Sequence, residues 1–192
     1  YSSSLFIHYN IFLLFKIRLG FFRSFFPYKI SFPLKSVTVP PEEIKKNDLL
    51  SYNALGRLNI QEICRKALGK YWKKLSLTEQ KKFIDLLSRM FIKEAFPNSG
   101  KFFSTFKLIY GQTNITELKA TVPLSVVHEK EGEINIDFHL YKYSNQWQVV
   151  DVALDGISMR NNLRSKLYKI ISKNNYQELV RRLEQKLTDI KK

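Results

Sequence analysis

Large apolar residues change their spacing twice along this chain, and that double switch fixes the fold class before any motif is considered. Leu58, Ile63, Ala67, Leu68, Tyr71, Trp72 and Leu75 recur at near-helical spacing over residues 57–75. Ser76-Leu77-Thr78-Glu79 has the form of a capping box, so a second helix is expected to start there. It runs through Phe83, Ile84, Leu86, Leu87, Met90 and Phe91 and should stop near Pro97. Its wide apolar stripe indicates burial between two surfaces. The period then falls to two. Residues 102–110 read as a strand, and Leu118, Ala120, Val122, Leu124 and Val126 alternate with mostly polar or small neighbours. Glu129-Lys130-Glu131-Gly132 can turn the chain, after which Ile134, Ile136, Phe138 and Leu140 alternate with Asn135, Asp137 and His139. Ser144-Asn145 is a second turn, and Trp147 to Leu154 is the last strand. Helical spacing returns with Leu163, Leu167, Ile170 and Ile171, then with Tyr176, Leu179, Val180, Leu183 and Leu187. Asn175 with Glu178 three residues on signals the start of the last helix. Strands joined by short turns pair antiparallel. The order helix, sheet, helix therefore predicts an α+β fold, with helices packed on a twisted four-stranded antiparallel sheet.

The opening of the chain follows neither pattern. Residues 1–40 hold five basic residues (Lys16, Arg18, Arg23, Lys29, Lys35) and no acidic ones. Aromatic and aliphatic runs such as Ile11-Phe12-Leu13-Leu14-Phe15 are too short for a membrane span, which needs about 20 mostly apolar residues. An export signal places its basic residues before the apolar run, whereas here they follow it. The segment reads as an atypical or truncated export segment, or as an extension outside the fold. Pro33, Pro40 and Pro41 mark a linker, with the folded part starting between residues 42 and 55.

Composition removes several classes of function. With 44% hydrophobic and 14% aromatic residues in 192, the chain has material for a core and is not a disordered tail. Cys64 is the single cysteine, which excludes an internal disulfide framework and a zinc site built on paired thiolates. Thirty-two Lys+Arg against 17 Asp+Glu give a net charge of +15, favouring nucleic acid, anionic lipid or an acidic partner. The basic pairs Lys45-Lys46, Lys73-Lys74, Lys81-Lys82, Arg181-Arg182 and Lys191-Lys192 are widely separated, with no zinc-finger, KH or RRM signature. A solvated basic surface is therefore favoured over nucleic-acid binding.

The search for catalytic motifs is nearly empty. Neither a phosphate-binding P-loop nor a G-x-G-x-x-G is present. Gly156-Ile157-Ser158 lacks the second glycine of a nucleophile elbow, because position 160 is Arg160. The helical pattern that follows makes Ser158 a helix N-cap. In a hairpin turning at residues 129–132, His128 pairs near Glu133 and His139 near Val122, so these histidines do not meet. Asp151 and Asp155 could share a strand face as an acid–base pair, although Asp155-Gly156 is more simply a turn. Asn114-Ile115-Thr116 fits the short glycosylation pattern. An NTF2-like cone enzyme would need an acid or a Tyr–Asp pair inside its cone, for which Asp137 and Tyr141 are the available residues. The surplus of large apolar residues either fills a core or lines an apolar cavity, and periodicity does not separate the two.

Three segments carry a family resemblance. Trp147-Gln148-Val149-Val150-Asp151-Val152-Ala153-Leu154-Asp155-Gly156-Ile157-Ser158-Met159, followed by Asn161-Asn162-Leu163-Arg164, resembles the hallmark of the MlaC, or toluene-tolerance, family. Ala67-Leu68-Gly69-Lys70-Tyr71-Trp72 with Leu77-Thr78-Glu79-Gln80 and Phe83 is similar to its helical opening, and Leu179-Val180-Arg181-Arg182-Leu183-Glu184 to its closing helix. The resemblance covers about residues 55–187, in order and spacing. It departs from the family pattern at Val150, Leu163 and Leu167, where aromatic residues are common.

The resemblance implies a periplasmic carrier of Gram-negative bacteria that catalyses no bond change and needs no cofactor or metal besides its bound lipid. Such carriers shuttle phospholipid between outer and inner membranes and so sustain outer-membrane lipid asymmetry. Their implied partners are an inner-membrane ABC transporter with its MCE-domain ring and an outer-membrane lipoprotein–porin complex, with no nucleic acid. Relatives associated with hopanoid transport share the fold. Residues 1–45 would then be export segment and linker, and residues 46–192 the lipid-binding domain. Leu108, Val122, Leu124, Ile136, Phe138 and Val149 are expected to form the cavity floor. Trp72, Phe83, Leu87 and Phe91 would form helical walls, with Leu163 and Leu167 near the cavity's end and Arg160 and Arg164 at its mouth beside a headgroup.

Overall fold

Asn59 and Ser76 set the two helix starts of the N-terminal half in the computed structural model, which describes residues 51–95, 107–128 and 132–189. The export segment and linker expected at residues 1–45, and the helix stop near Pro97, lie outside the described residues. After a helical turn at residues 51–55, the Asn59 side chain accepts from the Glu62 amide at 2.8 Å and opens α1, Ile60–Leu68. The helical spacing over 57–75 is not one helix. Gly69 takes φ +50°, a value that favours glycine, and the chain tightens into a 3₁₀ segment, Gly69–Lys74. Helix α2, Leu77–Met90, begins with the expected capping box: Glu79 N–H donates to Ser76 Oγ at 3.3 Å and Ser76 N–H to Glu79 Oε2 at 2.8 Å. A wider turn, Phe91–Ala95, continues it.

The sheet contains β1 (Lys107–Tyr110), β2 (Asn114–Ile115), β3 (Lys119–His128), β4 (Gly132–Tyr143), β5 (Gln146–Leu154) and β6 (Ile157–Ser158). Its order is β1-β3-β4-β5-β6, with β2 also on β3, and the pairings are antiparallel. Six strands therefore replace the expected four. The additional β2 and β6 have two residues each, too few to show a period of two. Ser144 and Asn145 both have positive φ (42° and 64°), which suits the twist of a tight hairpin. The β3–β4 register is one residue off the sequence reading: His128 lies opposite Gly132 and His139 opposite Thr121. The cause is that Gly132 belongs to the ladder instead of the turn.

Two helices close the fold. Helix α3, Met159–Lys173, starts at Ser158 as anticipated, with Asn161 N–H donating to Ser158 Oγ at 3.1 Å. Helix α4, Tyr176–Asp189, buries Leu179, Val180, Leu183 and Leu187. It is tied to α2 by Tyr176 Oη donating to the Glu79 carbonyl at 3.1 Å and by a Lys82–Glu184 ion pair at 2.9 Å. The architecture is the expected α+β.

Candidate functional site

Residues directly opposite in a sheet share a face, so the register defines an inner surface. Val122 faces Phe138, Leu124 faces Ile136, Val126 faces Ile134 and Ala120 faces Leu140. Strand β5 joins this surface through a bulge: His139 pairs with Asp151 but Leu140 with Val149, leaving Val150 as the extra residue. Val149, Val152 and Leu154 consequently line up with Leu140, Phe138 and Ile136. Asp151 and Ala153 turn to the opposite face. Ala153 is buried yet stands outside the main cluster, as that change of face requires.

The inner surface and the helices make one apolar interior. Trp72, Phe83, Leu87, Val122, Leu124, Ile136, Phe138, Val149, Leu163 and Leu167 are all buried in a single cluster. Phe91 and Leu108 are half-buried against it. Every position nominated from the sequence as floor, wall or cavity end is thus brought together. Among the described residues, Ser51 and Asp151 are the buried polar ones.

The Asp151 carboxylate organises the junction of β5, β6 and α3. Its Oδ1 accepts from the Val152 and Arg160 amides at 2.9 and 3.0 Å. Its Oδ2 accepts from Ser158 Oγ at 2.5 Å and faces the Arg160 guanidinium at 3.3 Å. Arg160 is therefore engaged by a buried carboxylate. On the other edge of β5, Val149 N–H donates to the Arg57 carbonyl and Asn59 N–H to the Val149 carbonyl, both at 2.9 Å. These bonds hold the start of α1 against the bulge.

Arg164 has a different environment. It donates to Tyr168 Oη at 3.2 Å and lies 5.0 Å from that ring's centre. Tyr168 Oη also accepts from the Lys70 amide at 3.0 Å, and its ring meets Tyr71 edge-on at 4.9 Å. This contact docks the end of α1 on α3, directly over Gly69. The sequence reading missed Tyr168; the one available signal was a glycine, Gly69, interrupting a helical pattern.

The other candidates do not assemble into chemistry. His139 contacts Thr121 Oγ1 at 3.2 Å. Asp155 ties its turn to β4, accepting from Asn135 N–H at 2.9 Å, and makes no pair with Asp151, which faces Ser158 and Arg160. Asp137 and Tyr141 lie on the face away from Phe138, with Tyr141 stacked on Tyr143 at 4.8 Å. Among the described residues, no three His, Cys, Asp or Glu are grouped to hold a metal ion. Burial pushes the Tyr176 hydroxyl up to about 12 and the Cys64 thiol higher than its ordinary value, so neither is primed as a base or nucleophile.

The family profile of the MlaC protein matches residues 40–185, about three quarters of the chain. The chain belongs to the MlaC family. Among solved structures, this MlaC-family chain is similar to a phospholipid-binding protein from Ralstonia solanacearum, determined in complex with a phospholipid. The TM-score is 0.64 at 17% identity, covering 78% of this chain and 84% of that one. A likeness at that identity shows a shared fold. A fainter likeness, to a Campylobacter jejuni protein described as an NTF2-like transpeptidase, has a TM-score of 0.33 at 12% identity, covering 58% of this chain and 97% of that one. It carries no argument. No curated protein sequence matches the chain. For an MlaC-family chain, the register above identifies which sheet face is apolar, a point that periodicity alone left open.

Proposed function

We propose that this chain is a periplasmic lipid carrier that holds phospholipid acyl chains between its inner sheet face and its helices. The observation that carries the reading is the inner face itself: Val122, Leu124, Ile136, Phe138 and Val149 are aligned by register, buried, and apolar throughout. Each methylene removed from water is worth about 0.8 kcal/mol, so two long acyl chains represent on the order of 20 kcal/mol. A lipid does not cross an aqueous gap at a useful rate against that cost. An apolar protein interior lowers it by standing in for the bilayer. The phospholipid-bound relative of the same fold supports a phospholipid as the ligand.

Arg160 already neutralises Asp151, which leaves Arg164 as the arginine of this pair with no carboxylate partner among the described residues. We assign Arg164 to the headgroup. An enzyme of the NTF2-like kind is disfavoured because Asp137 and Tyr141 stand on the other face. Shuttling between the outer and inner membranes, with delivery to an MCE-domain ABC transporter and collection from a lipoprotein–porin complex, completes the reading, and membership of the MlaC family supports it.

Native mass spectrometry and organic extraction of protein purified from a Gram-negative periplasm test it. Co-purifying phospholipid at one per chain is expected. Protein that is lipid-free and takes up no labelled phospholipid overturns the proposal; a bound hopanoid replaces the ligand and keeps the carrier.

A further inference from the structure

The net charge of +15 is concentrated by the fold. Residues 63–78 contain five basic residues and no acidic one, and residues 156–177 again contain five and none. These two stretches, the end of α1 with its 3₁₀ segment and nearly all of α3, pack on each other. Lys70, Tyr71, Arg164 and Tyr168 meet at this junction. Lys70 Nζ stands 5.4 Å from the Tyr71 ring centre and 5.7 Å from that of Tyr168, while Arg164 covers Tyr168 at 5.0 Å. Arg65 and Arg160 are neutralised by Glu62 and Asp151. Lys70, Lys73, Lys74, Arg164 and Lys169 are exposed and have no carboxylate partner among the described residues.

We propose that this basic face, formed by the 3₁₀ segment and α3 around the Tyr71–Tyr168 contact, docks the protein on an anionic lipid bilayer. The tyrosines decide between anionic surfaces. A single-stranded nucleic acid would stack its bases on open aromatic rings. Here the two rings are spent on each other and lie under cations, so what faces outward is diffuse positive charge on long flexible stems. That suits a diffuse, laterally mobile anionic surface and offers no fixed hydrogen-bond code. The choice of a bilayer rests on the carrier reading, in which the protein works beside a membrane surface at each end of its route.

The test is co-sedimentation of the full chain with phosphatidylglycerol–phosphatidylcholine vesicles and with pure phosphatidylcholine vesicles. It is run at about 0.1 M and about 1 M salt, where screening lengths are about 10 Å and about 3 Å. Binding is expected only to the anionic vesicles and only at the lower salt. A cation near an anionic surface contributes about a fivefold gain, so Lys70→Glu/Lys73→Glu/Lys74→Glu should weaken binding by about 100-fold or more. The control Lys119→Glu/Lys142→Glu, on β3 and β4, should change it little. Circular dichroism confirms folding, and the Lys→Gln version of the triple variant gives a milder loss if charge reversal disturbs the fold. Equal loss in triple variant and control overturns the proposal, as does retention by polyglutamate or single-stranded DNA without vesicle binding. Lipid content, measured on the same samples, separates the two claims. Bound phospholipid without vesicle docking overturns the docking face alone, and vesicle docking by protein that neither holds nor takes up phospholipid supports the face and overturns the carrier.

Discussion

The Asp151 carboxylate faces the Arg160 guanidinium at 3.3 Å while also accepting from the Arg160 amide at 3.0 Å, so one buried acid holds both ends of the same residue. Asp151 stands on the outer face of β5 because of the bulge at Val150, and it fixes where α3 leaves the sheet. Removing the acid leaves two amides and a half-buried guanidinium without their acceptor. Asp151→Ala is expected to cost about 3 kcal/mol in urea unfolding. Ser158→Ala, which loses the helix cap and one bond to Asp151, should cost about 1 kcal/mol. Equal costs for both would mean that the carboxylate is not the centre of the junction.

Gly69 should resist substitution for two separable reasons. Its φ of +50° disfavours any side chain, and a Cβ there would collide with the Tyr168 hydroxyl. Gly69→Ala is expected to lower stability by about 2 kcal/mol or more. In Gly69→Ala/Tyr168→Phe the collision is relieved but the backbone strain stays, so the loss beyond Tyr168→Phe alone should shrink without vanishing. Thermal unfolding of the three variants measures this.

Cys64 is fully buried on α1, and desolvation raises its pKa. The thiolate is the reactive form, so the folded protein should resist a thiol-directed maleimide and label quickly in denaturant. Rapid labelling of the native state would indicate that α1 opens readily from the core.

Glu178 sits in the first turn of α4 with Arg181 and Arg182 bonded to its carboxylate at 2.8 and 2.7 Å, which hold its pKa down at about 2 against an ordinary 4.5. A depressed carboxylate pKa stabilises the fold fully above its unfolded value. That contribution is lost as pH falls from about 4.5 through about 2. An NMR titration of the Glu178 carboxyl should show a midpoint near 2, moving upward in Arg181→Ala/Arg182→Ala. The same midpoint in the variant would exclude the two arginines as its cause.

What could be read from the residues was whatever repeats or is local. The alternation of Val122, Leu124, Ile136 and Phe138 placed the strands, and Ser76 and Ser158 announced their helices through capping chemistry. Non-local geometry was not legible. The extra residue Val150 changes which β5 side chains join the interior, yet Val149-Val150-Asp151-Val152 alternates no differently from an unbulged strand. Gly69 was visible as a glycine, but its partner Tyr168 lies 99 positions away and only the packing of α1 on α3 reveals it. Arg160 and Arg164 looked equivalent in sequence; a buried acid engages one, and a tyrosine the other.

The most direct measurement of the central claim uses a phospholipid with a diazirine near the end of one acyl chain, loaded into the protein, photolysed and mapped by peptide mass spectrometry. The account predicts adducts on the inner face, at Val122, Leu124, Ile136, Phe138 or Val149. Adducts confined to exposed apolar residues such as Ile109, Ile115 and Leu118, with none on that face, would contradict it.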